Sequence, residues 1–123
     1  MPLLLDTNIL VDYFRERAEA VVLIDGLPGK PATSVCTIME LVAGAKSRRE
    51  ESRIEKLASK LLVLTVTYPI AQIAGQHVKH YRRSHGLDDL DALIAATAEH
   101  HRLALATRNV KHFPMFAKLK APY

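Results

Sequence analysis

The sequence predicts an α/β sandwich with a mostly parallel sheet. Short apolar runs and amphipathic stretches alternate along the chain as strand, helices, strand, helices, strand, helices, strand, the pattern of linked βαβ units. The strand candidates are brief and apolar without polar alternation, as strands covered on both faces should be. With 123 residues, 49% of them hydrophobic, the chain suits one domain over residues 1–123, long enough for a core but short for two.

Leu3-Leu4-Leu5 reads as the first strand, stopping at Asp6-Thr7-Asn8 before a helix through Ile9, Leu10, Tyr13 and Phe14. A second helical run carries Val21, Val22, Leu23, Ile24 and Leu27. These two helices offer more apolar surface than one sheet face needs, so a groove is expected beside them. Pro31 to Val35 reads as the second strand, and the following helix has Ile38, Leu41, Val42 and Ala45 on its apolar face, with Glu40 in or near its first turn. Lys46 to Lys60 alternates in sign, with Arg49, Arg53 and Lys56 near Glu50, Glu51 and Glu55, as in a solvated helix laced with weak ion pairs. Leu61 to Val66 is the clearest buried strand; Pro69 opens the next helix and Gly86 is placed to end it. The last helix starts around Asp88, with Leu90, Leu93, Ile94 and Ala98 at core spacing, and returns through the strand Leu103 to Ala106 into Thr107-Arg108-Asn109. There is no internal repeat, low-complexity tract or Gly-rich linker.

This order delivers oxygen-bearing side chains to one end of the sheet. Asp6 sits at a strand's C-terminal tip, where open α/β sheets bind ligands. Glu40 follows the second strand closely, Asp91 lies in a helical first turn, and Thr107-Arg108-Asn109 ends the last strand. Each acid also has a capping reading. Asp, Thr and Asn are preferred N-caps, Thr37-x-x-Glu40 fits a capping box, and Asp88-x-x-Asp91 places negative charge where a helix dipole favours it. The constellation weighs more than its members, because three converging carboxylates repel one another unless a divalent cation reverses the local electrostatics.

Composition excludes several alternatives. Cys36 is the single cysteine, so an internal disulfide and a multi-thiolate zinc site are ruled out; among Val35, Ile38 and Met39 it reads as a small buried hydrophobe. No apolar stretch approaches the roughly 18 residues of a membrane span, and Asp6 interrupts the N-terminal run too early for a secretory signal, so a cytoplasmic location without membrane contact is expected. Neither Gly-x-Gly-x-x-Gly nor a Walker-type lysine loop is present. His77-x-x-His80 lacks a neighbouring acid or cysteine and reads as exposed.

The net charge is +4 and uneven: residues 1–55 hold 7 Lys/Arg against 9 Asp/Glu, residues 56–123 hold 10 against 4. Lys79, Arg82 and Arg83 form the densest basic stretch, and Arg108, Lys111, His112, Lys118 and Lys120 add a second near the acids. Such patches suit a polyanion, although either also reads as a solvated face. The role of His112, just past the Asn109 turn, stays open.

Leu5-Asp6-Thr7-Asn8-Ile9-Leu10, Ser34 through Leu41, Asp91-Ala92-Leu93-Ile94-Ala95-Ala96-Thr97-Ala98 and Thr107 through Phe113 together resemble the PIN-domain ribonucleases and, within them, the VapC-type toxins of bacterial toxin-antitoxin pairs. The resemblance spans nearly the whole chain in the family's order. It implies a three-layer α/β/α sandwich, cleavage of RNA dependent on Mg²⁺ or Mn²⁺ that leaves a 5′-phosphate and a 3′-hydroxyl, inhibition by a small cognate antitoxin, and a homodimer. Asp6, Glu40 and Asp91 match the family's three acidic metal-site positions. Thr7, Asn8 and Thr107 match small polar positions that orient carboxylates. Asn109 stands where the family often has a fourth acid, and His112 where another Asp is common. An amide brings no negative charge, so a second metal should bind more weakly than in a four-acid site.

Two readings from other classes stand beside the enzyme. A receiver-type signalling domain needs an acceptor Asp at a middle strand's end, where this chain has Thr65-Val66-Thr67. A PIN-fold RNA-binding or protein-interaction module with weak or lost activity through Asn109 is the stronger rival.

Overall fold

The computed structural model describes residues 2–123. In chain order its elements are β1 (Leu3–Leu5), α1 (Thr7–Phe14), α2 (Ala18–Asp25), β2 (Ala32–Ser34), α3 (Val35–Gly44), α4 (Arg48–Ala58), β3 (Leu62–Leu64), α5 (Tyr68–His85), α6 (Asp89–His100) and β4 (Ala104–Ala106), followed by a 3₁₀ turn at Val110–His112. The sheet order is β3-β2-β1-β4, and every pairing is parallel, with Leu5 opposite Thr33 on one side and Ala106 on the other. The mostly parallel sheet expected from the sequence is wholly parallel.

Alternation along the strands assigns the core to two faces. Leu4 and Leu105 pack with Ile94, Ala95, Ala98 and Phe113, while Leu5 and Ala106 pack with Ile9, Leu10, Leu41, Ile54 and Leu57. Helices thus cover both faces, giving the α/β/α layering that the resemblance implied. A third cluster, from Ile70 and Ala74 to Ala92 and Ala96, joins α5 to α6.

Three expectations need correction. The Leu61–Val66 strand shortens to Leu62–Leu64 and forms the sheet edge, with Leu62 53% exposed; an apolar run reports affinity for a sheet and not its place in it. The Lys46–Lys60 stretch is helical but not merely solvated, because Ile54 and Leu57 are buried. Its expected ion pairs are not formed among the described residues; Arg53 instead donates to the Phe14 carbonyl at 3.1 Å and lies over the Phe14 ring. Ile9 and Leu10 are fully buried core residues, so the groove-forming surface of the first helices is smaller than their composition implied.

Chain reversal between α5 and α6 uses Gly86 in the left-handed region, φ 62°, where a side chain would be strained. Asp88 then caps α6 by accepting from the Leu90 amide. No helix of the described residues is long and apolar enough to cross a membrane.

Candidate active site

β1 sends the chain towards β2 on one side, while β4 adds on the other. The C-terminal ends of β1 and β4 therefore flank the point where strand order reverses, and a crevice opens there. Asp6 and Thr107, the residues following these two strands, are both buried and meet across it.

Asp6 caps α1 and serves the crevice at once. Its Oδ1 accepts from the Thr7 amide at 2.8 Å, and its Oδ2 accepts from Thr107 Oγ1 at 2.7 Å and from Asn8 Nδ2 at 3.1 Å. The Thr107 hydroxyl is saturated, donating to Asp6 and accepting from Asn8 Nδ2 at 3.1 Å and the Asn109 amide at 2.9 Å. Asn8 Oδ1 accepts from the Arg108 amide at 3.1 Å. These hydrogen bonds hold the Asp6 carboxylate in one orientation.

Glu40 arrives differently from the capping-box reading. Ser34 caps α3, accepting from the Cys36 amide at 3.0 Å, so the helix starts earlier than expected and Glu40 lies in its second turn. The cap moved because β2 runs into α3 without a loop. Thr37 is buried inside the helix, and Glu40 Oε1 instead accepts from Thr7 Oγ1 at 2.7 Å. Asp91, in the first turn of α6, has His112 Nδ1 at 3.4 Å from its Oδ2.

These groups line one open cavity of about 450 Å³, together with Asp88, Asn109 and Arg108. Its electrostatics are those of crowded acids. Burial pushes the Asp6 carboxyl up, against the hydrogen bond from Thr107. Burial first and the nearby Asp6 carboxylate second push Asp91 up to about 6; His112 opposes the rise while Asp88 and Glu40 add to it. Negative charge is thus undercompensated here, which is the chemistry a hard divalent cation relieves. Among the described residues no three His, Cys, Asp or Glu side chains stand close enough together to hold a metal ion as they are placed; Asp6, Glu40 and Asp91 share a cavity without converging on one point.

Lys79, Arg82 and Arg83 do not line the crevice; they sit exposed on α5, and Arg82 is engaged by the Leu87 carbonyl and the Asp89 carboxylate. Lys111 is exposed beside the site, and Asn109 and His112 face it. His77 departs from its exposed reading, because its Nε2 lies 3.0 Å from Glu99 with the side chain only 17% exposed. Cys36 is buried and free, as expected. Sequence reasoning missed Asp12 and Arg15, which also line the cavity; the available signal was Asn8-x-x-x-Asp12, a spacing that stacks both side chains on one helix face.

A second cavity, of about 320 Å³, adjoins the first and shares Val11, Arg15 and Glu40 with it; Phe14, Leu41 and Ile54 supply its apolar wall. It is the groove expected beside the first helices, but α3 and α4 complete it in place of α2.

The PIN domain profile matches residues 3–119, and the chain belongs to the PIN domain family and, within it, to the VapC group. Ribonuclease VapC19 of Mycobacterium tuberculosis is 42% identical over 124 aligned positions, covering 98% of each chain. Ribonuclease VapC10 of the same organism is 38% identical over 98% of this chain and 92% of its own. Among solved structures, a toxin-antitoxin complex from Klebsiella pneumoniae superposes with a TM-score of 0.82 at 36% identity, covering 98% of both chains.

Proposed function

We propose that this protein is a divalent-metal-dependent endoribonuclease acting as the toxin of a type II toxin-antitoxin pair. The observation that carries the reading is the undercompensated crevice of Asp6, Glu40 and Asp91 at the sheet's switch point; the ribonuclease relatives and the solved toxin-antitoxin complex support it. Asp6, Glu40 and Asp91 would hold Mg²⁺ or Mn²⁺, which suits an open set of carboxylates that leaves room for water and substrate phosphate. Such an ion, when bound, activates the attacking water and stabilises charge on the phosphate and the leaving oxygen.

The chain's own residues do the rest. Thr107, Asn8 and the Thr7 amide hold Asp6 in one orientation, Thr7 Oγ1 holds Glu40, and preorganised ligands of this kind lose little entropy on binding. Lys111 gives the rim positive charge, His112 and Arg108 offer it hydrogen-bond donors, and Lys79, Arg82 and Arg83 extend the basic surface along α5, attracting the RNA backbone. On this reading the protein is a single nuclease domain at work in the cytoplasm. The adjoining groove, with Val11, Phe14, Leu41 and Ile54, takes an amphipathic segment of the cognate antitoxin, whose basic residue competes with metal at the acids. The chain pairs as a homodimer.

A cleavage assay on RNA with and without Mg²⁺ or Mn²⁺ tests the proposal. Metal-dependent cleavage that disappears in folded Asp6→Asn is expected; normal turnover in that variant defeats it. Absence of cleavage by the native protein under all metal conditions favours the binding-module alternative, for which Asn109 at the fourth acidic position speaks.

A further inference from the structure

Asp12 is buried, 5% exposed, and yet no part of the acidic trio. One turn beyond Asn8 on α1, it gathers three other segments of the chain. Arg108, from the turn after β4, approaches with two nitrogens, Nη2 at 3.1 Å from Oδ1 and Nε at 2.7 Å from Oδ2. Tyr123 donates its hydroxyl to Oδ2 at 2.6 Å. Arg17, in the turn after α1, brings Nη1 to 3.6 Å and lies 4.9 Å over the Tyr123 ring.

Arg108 is consequently held at both ends from one face of α1. Its guanidinium is on Asp12, and its backbone amide is on Asn8. Thr107, which binds Asp6, and Asn109, which faces the crevice, are its two neighbours in the chain. Two-point contacts of an Arg fork with a carboxylate fix orientation as well as distance. A carboxylate this buried would be a liability without partners, and here Arg108, Arg17 and Tyr123 surround it.

We infer that Asp12 is a positioning residue for the nuclease site: with Asn8 it clamps the Thr107–Asn109 turn to α1, and Tyr123 holds Asp12 in the clamping orientation. The inference rests on the proposed nuclease reading for its functional consequence, though not for the clamp itself. Asp12 and Asn8 together fix Arg108 where its turn lines the crevice.

Asp12→Asn is the direct test, read first by amide hydrogen exchange on the protein alone. The Arg108 and Asn109 amides are expected to exchange about tenfold faster, with the amides of β1 and β4 unchanged; unchanged exchange at the turn overturns the clamp. Mn²⁺ titration of the same variant without RNA is expected to show about tenfold weaker binding, the size of effect typical of groups that orient ligands, and native affinity overturns the positioning role. Arg108→Lys keeps the charge but not the fork and should behave like Asp12→Asn; native behaviour in both readouts counts against the two-point geometry. If Asp12→Asn fails to fold, Tyr123→Phe, which keeps the ring over Arg17, carries the same two readouts in the same directions. Failure of the native protein to bind Mn²⁺ would sink the nuclease reading, while the exchange result still decides the clamp.

Discussion

Asp91 carries the clearest energetic consequence of gathering acids in a half-buried crevice. Its carboxyl is pushed up to about 6 from an ordinary 3.8 by burial and by Asp6. The folded protein therefore holds this proton more tightly than the unfolded chain, so protonated Asp91 favours folding and the advantage is lost as pH rises from about 4 to about 6. In metal-free buffer well above pH 6 a shift of this size corresponds to about 3 kcal/mol, reduced by solvent screening because the crevice is open. Asp91→Asn removes that charge without changing the shape. We expect the metal-free variant to melt several degrees above the native protein at pH 7.5, the gap to close near pH 4, and, on the proposed function, RNA cleavage to be lost. Calorimetry on both proteins in chelator checks it, and a native protein that melts higher at pH 7.5 would contradict the electrostatic account.

At the scale of elements, the site depends on where helices begin. Asp6 and Asp88 are caps, and Asp91 follows in the first turn of α6, so a place at a helix start does not keep Asp6 and Asp91 from lining one crevice. For Glu40, the start of α3 at Val35 removed the capping box and left the carboxylate free for Thr7. Spacing alone could not show this, because Ser34 and Thr37 are both acceptable caps and only β2 pairing selects between them. The corner that sets the start of α6 is Gly86. Gly86→Ala, forced into φ 62°, should cost about 1 kcal/mol with metal-dependent cleavage retained, as chemical denaturation alongside the RNA assay will show. A larger loss would mean that the α5–α6 corner couples to the core beyond its own backbone strain.

On the surface of the whole molecule, Val35, Met39 and Val42 are 38%, 53% and 42% exposed. Their spacing along α3 makes an apolar stripe on an exposed flank of the helix, and Val42 belongs to it and not to the core face expected from the sequence. Stripes of this kind on otherwise charged surfaces mark interfaces, and this one supports the proposed homodimer. Light scattering at micromolar concentration is expected to give twice the 13.7 kDa chain mass, and Met39→Lys to give the monomer with its circular dichroism unchanged. A monomeric native protein, or a variant that stays dimeric, would remove α3 as the interface.

Local sequence was enough for the class of fold, the number and order of elements, and the gathering of Asp6, Glu40 and Asp91 about one crevice, because apolar periodicity, caps and turn glycines act within a few residues of themselves. It placed Asp6 and Thr107 just past strand ends and Asp91 in the first turn of a helix. It could not say that Leu62–Leu64 is an edge, that α4 turns Ile54 inward, that Lys79 and Arg83 lie outside the crevice, or that Asp12 ties Arg108 and Tyr123 together across separations of 96 and 111 residues. Those outcomes depend on which strands pair and which faces they bury. Pairing and burial are contacts between distant segments, settled only when the chain closes on itself.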